Sequence, residues 1–232
     1  MRQYPFWVYI LLFIAAQMAG GVITLAARYS GSQLLLSALT PQALLFAVNM
    51  LAIGLCLMAR PAYCTLGDTI AGLRPPMIWL TVRMLLLSPP IIVLVSWLQE
   101  MLPPLPDMIP EQTVDQLLHT PLGLLTVCLV GPLAEEMIFR AGVLGSMLRS
   151  YPRWVAIAGS AAVFALIHVN PVQMAAAFCI GLLLGWAYSS TRSLAAPLMI
   201  HVFNNALAAA FPDNRISDYL TYTWHHILLV AV

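Results

Sequence analysis

The chain has 232 residues, 61% of them hydrophobic and 8% charged, with a formal net charge of +1 and a mean hydropathy of +0.88. Soluble domains are roughly 45–50% apolar and about 25% charged, so no water-soluble globule hides this much apolar surface. The sequence has no basic patch of the kind that nucleic acid requires.

A helix needs about 20 apolar residues to cross roughly 30 Å of hydrocarbon. Runs of that kind predict spans at Phe6 to Ala27, Gln42 to Ala59, Met77 to Leu98, Pro121 to Leu148, Trp154 to Val169, Val172 to Tyr188 and Leu194 to Phe211. A weaker eighth, Tyr219 to Val232, carries His225 and His226. The runs are continuous rather than alternating, which makes a β-barrel a poor alternative. The expected fold class is all-α: a polytopic membrane helix bundle of seven or eight transmembrane helices. It forms a single integral membrane domain, 1–232, with its motif-bearing core at about 121–211. Arg2 ahead of the first run also suits a signal peptide, but the length of the run, Gln17 within it and the spans that follow favour a membrane helix.

All basic residues are arginines. With the N-terminus in the cytoplasm, Arg2, Arg60, Arg74, Arg149, Arg153 and Arg192 fall on the inner side, against Arg28 and Arg215 outside. The expected location is therefore the plasma or inner membrane, N-terminus inward. The stretch Glu100 to Thr120 then lies outside as an acidic, proline-rich connector, with a short interfacial helix at Glu111 to Leu118. Pro89 and Pro90 should kink the third span, and Arg83 should snorkel toward the inner face. Cys56, Cys64, Cys128 and Cys179 form no CxxC pair and read as small core residues.

Ionisable groups are costly in hydrocarbon, and those that persist usually face a polar interior. In the fourth span, Glu135, Glu136 and Arg140 interrupt an apolar helix. At about 100° per residue, Arg140 lies close to Glu136 in angle and far from Glu135. Glu136 and Arg140 are thus the expected i, i+4 pair, and Glu135 is left as the candidate general base. The fifth span ends in Phe164-xxx-His168; counted from the turn at Tyr151-Pro152, His168 and Glu135 reach the same depth on antiparallel helices. The seventh carries His201 and Asn205 on one face, two donors suited to an oxyanion, with Asn204 expected to point elsewhere. Each segment alone also reads as a structural ion cluster or as polar glue between helices.

The order Glu135-Glu136-xxx-Arg140, Phe164-xxx-His168 and His201-xxx-Asn205 on successive spans resembles the three motifs of the CPBP family. This is the CAAX protease and bacteriocin-processing family, also called Abi or type II CAAX prenyl endopeptidases. The resemblance covers about Gly131 to Asn205. It implies an intramembrane glutamic-type endopeptidase in which Glu135 and His168 activate water, His201 and Asn205 stabilise the oxyanion, and Glu136 and Arg140 brace the helix. It implies no cofactor, although two histidines near two glutamates leave zinc as an alternative. The expected partners are the lipid bilayer and a hydrophobic or lipidated peptide. Two other functions fit the same residues: a non-enzymatic bacteriocin-immunity or peptide-binding membrane protein, and a small transporter.

Overall fold

The computed structural model describes residues 4–59, 61, 77–100 and 116–210. The expected eighth span, Cys64, Arg2, Arg60, Arg74, Arg215 and most of the acidic connector lie outside the described residues. Within them every regular element is helical: α1 (Phe6–Ser30), α2 (Gln33–Ala38), α3 (Pro41–Ala59), α4 (Met77–Glu100), α5 (Pro121–Met147), α6 (Arg153–Leu166), α7 (Pro171–Thr191) and α8 (Ala195–Ala210). Five are long and apolar enough to cross a membrane: α1, α3, α4, α5 and α7. At the two remaining expected positions α6 and α8 are apolar but shorter, so among the described residues five helices, not seven, have the length to span. α6 stops early because the chain turns at 167–170, where Val169 takes a left-handed φ of 58°.

α5 is the axis of the bundle. Half of its apolar window is buried, against 22% for α1 and for α4 and 28% for α3. α1 and α3 pack together and against one side of α5; α6 and α7 pack together, and α7 joins α4 and α8 on the other. Helices gain no hydrophobic advantage by leaving lipid for each other, so close approach through small residues matters. α1 offers Ala16 and Gly20, and α3 offers Ala52 and Cys56, all buried. Where α1 crosses α5, a Cβ on Gly142 would stand 2.5 Å from the Tyr9 ring, so only glycine fits. The faces of α1 and α4 that carry Leu11, Met18, Val22, Trp79, Leu86 and Leu94 are exposed, as lipid contact requires.

α4 remains helical through Pro89 and Pro90. Pro89 has no N–H for the Leu85 carbonyl four residues back. The Ser88 hydroxyl supplies the missing donor, 2.9 Å from that oxygen. Arg83 is exposed on the same helix. Ser88→Ala should therefore destabilise the chain by about 1 kcal/mol while Ser88→Thr, which keeps the hydroxyl, costs less. Denaturant titration in mixed micelles measures both.

Candidate active site

α5 is not a uniform α-helix. Two widened, π-helical stretches, Thr126–Val130 and Glu136–Leu144, flank one α-turn at Gly131–Glu135. Widened turns tilt carbonyls away from the axis, and in hydrocarbon those carbonyls need donors from elsewhere. Three neighbouring helices supply them. Cys56 of α3 donates to the Met137 carbonyl at 3.4 Å, Ser160 of α6 to Phe139 at 3.0 Å, and Asn205 of α8 to Val127 at 2.9 Å.

The second widened stretch begins at Glu136. Its carboxylate and the Arg140 guanidinium are wholly buried, with Nε 3.2 Å from Oε2. The pair that the i, i+4 spacing predicts is thus present. The other oxygen, Oε1, lies 2.8 Å from His201 Nδ1, so Glu136 reaches across to α8 as well as along its own helix. The opposite ring nitrogen of His201, Nε2, lies 3.7 Å from Glu135 Oε2. One imidazole therefore stands against both carboxylates. Its Nδ1 donates to a Glu136 carboxylate already held by Arg140, which fixes the ring and turns Nε2 toward Glu135. The Glu135 side chain keeps 22% of its surface exposed and Glu136 keeps none, so only one of the two carboxylates is open to its surroundings.

His168 joins through Phe164. Its Nδ1 lies 2.8 Å from the Phe164 carbonyl, which can only accept, so Nδ1 carries a proton and Nε2 is the ring nitrogen left uncommitted. The Phe164 ring is the common neighbour of the cluster. Its centroid is 4.9 Å from the His168 ring and 5.8 Å from the His201 ring, both edge-on, and Arg140 Cζ lies 4.5 Å over its face. Phe139 packs against it at 5.5 Å. The contacts of Ser160 and Phe164 with Phe139 and Arg140 fix the antiparallel register of α6 on α5. Among the described residues His168 makes no ion pair with a carboxylate. Immediately after it, Val169 is a β-branched residue in the left-handed region, a conformation that persists only where the surroundings impose it.

On α8, Asn205 turns its amide to Val127. Asn204, expected to point elsewhere, instead reaches its neighbour, Nδ2 to Asn205 Oδ1 at 3.5 Å. Its own Oδ1 is buried without a donor. Spacing held this signal: Asn204 is i+3 from His201 and so borders the same face. Among the described residues no group of three or more His, Cys, Asp or Glu side chains converges as metal ligands do. Glu135, Glu136, Arg140, His168, His201 and Asn205 thus occupy one region around α5: Arg140, Glu136, His201 and Glu135 form a chain of contacts at 3.2, 2.8 and 3.7 Å, and His168 and Asn205 hydrogen-bond to backbone carbonyls.

Removing one partner of a buried pair strands the other's charge. Arg140→Met should therefore destabilise the chain by about 3–5 kcal/mol, much more than Glu135→Gln, whose carboxylate is partly open to solvent. Equilibrium unfolding of the two variants in the same micelles compares them directly.

Residues 117–207 match the family model for Rce1-like type II CAAX prenyl endopeptidases. Among curated proteins the chain is similar to the membrane-embedded CAAX protease MroQ of Staphylococcus aureus, 30% identical over 97 residues, which is 39% of each chain. It is also similar to YdiL of Bacillus subtilis, named as a membrane peptidase, 22% identical over 110 residues, which is 47% of this chain and 45% of YdiL. The matched stretch thus spans less than half the length of either relative. No solved structure matches the chain. The stretch that holds every residue of the polar cluster is the stretch that matches the Rce1-like type II CAAX prenyl endopeptidase family.

Proposed function

We propose that the chain is an intramembrane endopeptidase that hydrolyses a peptide bond of a membrane-associated or lipidated peptide, without a metal, from a multi-pass position with its N-terminus in the cytoplasm. The observation that carries this reading is the His201 ring held between two unequal carboxylates, Glu136 buried and paired, Glu135 partly exposed.

In the proposed reaction Glu135, with His168 Nε2, takes a proton from a water molecule as its oxygen attacks the scissile carbonyl carbon. The carbonyl oxygen becomes the oxyanion of a tetrahedral intermediate. His201 and Asn205 donate to it. Because Nδ1–H of His201 is engaged by Glu136, the donor toward the oxyanion is Nε2–H of an imidazolium. Collapse of the intermediate breaks the C–N bond, and Glu135 returns the proton to the leaving amine. Glu136 and Arg140 touch no reacting atom; they set the angle of His201.

Support for a membrane peptidase comes from the family match over 117–207 and from the names of both relatives. A CAAX substrate is stated only of the relative that bears the name; for this chain a lipidated or hydrophobic peptide is the broader proposal. Purified chain in detergent should cleave a prenylated or hydrophobic peptide pool, followed by mass spectrometry. Glu135→Gln should remove cleavage, a fall of at least about 1,000-fold in kcat/KM, with unfolding little changed. Full activity in that variant would sink the assigned mechanism. Peptide binding or protection that survives joint loss of Glu135 and His168 would instead favour a non-enzymatic role.

A further inference from the structure

One proline opens the backbone of α5 where Asn205 enters. At the widened stretch Thr126–Val130 the register lengthens to five residues: the Gly131 N–H donates to the Thr126 carbonyl. The next rung would join residue 132 to Val127. Residue 132 is Pro132, buried, with no N–H to give. The Val127 carbonyl thus loses the rung that its register demands, at a depth where an unsatisfied carbonyl is costly. Asn205 Nδ2 occupies that oxygen at 2.9 Å.

We propose that Pro132 is a positioning residue: by withholding an N–H it creates the acceptor that seats Asn205 of α8 beside Glu135 and His201. The seat fixes the direction of the amide. One Nδ2 hydrogen goes to Val127, and Oδ1 faces Asn204 Nδ2 at 3.5 Å. The second Nδ2 hydrogen is then the donor left for a ligand. Pro132 is three residues before Glu135, so the same short turn that presents the proposed base also sets the amide. Use of that remaining hydrogen on an oxyanion rests on the hydrolase reading; the seating does not.

The test uses the full chain in detergent with Pro132→Ala, Asn205→Ala and the double variant. Asn205→Ala should lower the apparent unfolding temperature of the native sequence. In the Pro132→Ala background the substituted residue regains an N–H that can take the Val127 carbonyl, so that loss should shrink by roughly half or more. If Pro132 only shapes the helix, the losses add, and additive losses overturn the proposal. Where the native chain cleaves peptide, Pro132→Ala should lower kcat about 10-fold with little change in KM; an unchanged kcat overturns the positioning role.

A second measurement covers the case in which Pro132→Ala does not fold. Val127-Cys128 is the sole Val-Cys pair in the sequence, so 13C-carbonyl valine with 15N cysteine yields one NMR signal for this carbonyl. Asn205→Ala should move that signal toward the value of an unbonded carbonyl, and a fixed signal refutes the seating. Both structural readouts stand without proteolysis. A chain that cleaves nothing yet gives the non-additive cycle removes the hydrolase reading and keeps this one.

Discussion

A backbone carbonyl in hydrocarbon has no water to turn to, and the arrangement of this bundle follows from where such carbonyls arise. In α4 one proline frees the Leu85 oxygen and a serine on the same turn covers it. That repair is local and binds no second helix. In α5 the freed or tilted carbonyls of Val127, Met137 and Phe139 are covered by Asn205, Cys56 and Ser160 from α8, α3 and α6. Each repair there is also a link between helices. Irregularity in one central helix thus becomes the means by which three others are registered against it, and the polar cluster sits at the crossing.

Helix register then decides the chemistry. Glu135 and Glu136 are adjacent in sequence and chemically alike, yet they end in different surroundings. Glu136 opens a widened stretch, lies fully buried, and is held on one oxygen by Arg140 and on the other by His201. Glu135 closes the preceding α-turn and keeps part of its surface open. A carboxylate with two fixed partners is a structural element, whereas Glu135 meets His201 only at 3.7 Å and keeps part of its surface exposed. The histidine between them inherits the difference, with one nitrogen committed and the other facing the open acid.

The sequence was most legible where chemistry is expensive. Acids, an arginine and histidines inside apolar runs stand out because lipid tolerates few of them, and the i, i+4 spacing was enough to pair Glu136 with Arg140. The helices and most of their limits were legible for the same reason, since long apolar runs have few alternatives. Contacts that depend on the real pitch of α5 were not legible. A uniform 100° step says nothing of widened turns, so it hid the reach of Glu136 to His201 and the anchoring of Asn205 on Val127. Phe164 was visible only as a spacer before His168. Its role as the shared neighbour of Arg140 and both histidines arises from packing among α5, α6 and α8. The length of α6 was overread because Val169 gives no turn signal: a β-branched residue is among the last expected at positive φ.

That turn bears on why the cluster holds its shape. A buried ion pair is weak evidence of stability, because desolvation of both charges offsets most of their attraction. Glu136 and Arg140 therefore contribute less by their mutual energy than by what they exclude: with both present, any rotation of α5 that parts them from His201 or from the Phe164 face strands a charge in an apolar interior. The same logic extends to α6. The Val169 turn follows directly on the His168 ring, which is tied to the Phe164 carbonyl, as Phe164 is to Arg140. Charges that add little net stability can thus restrict the bundle to a single register, and a site that needs an imidazole angled between two acids depends on that restriction more than on raw stability.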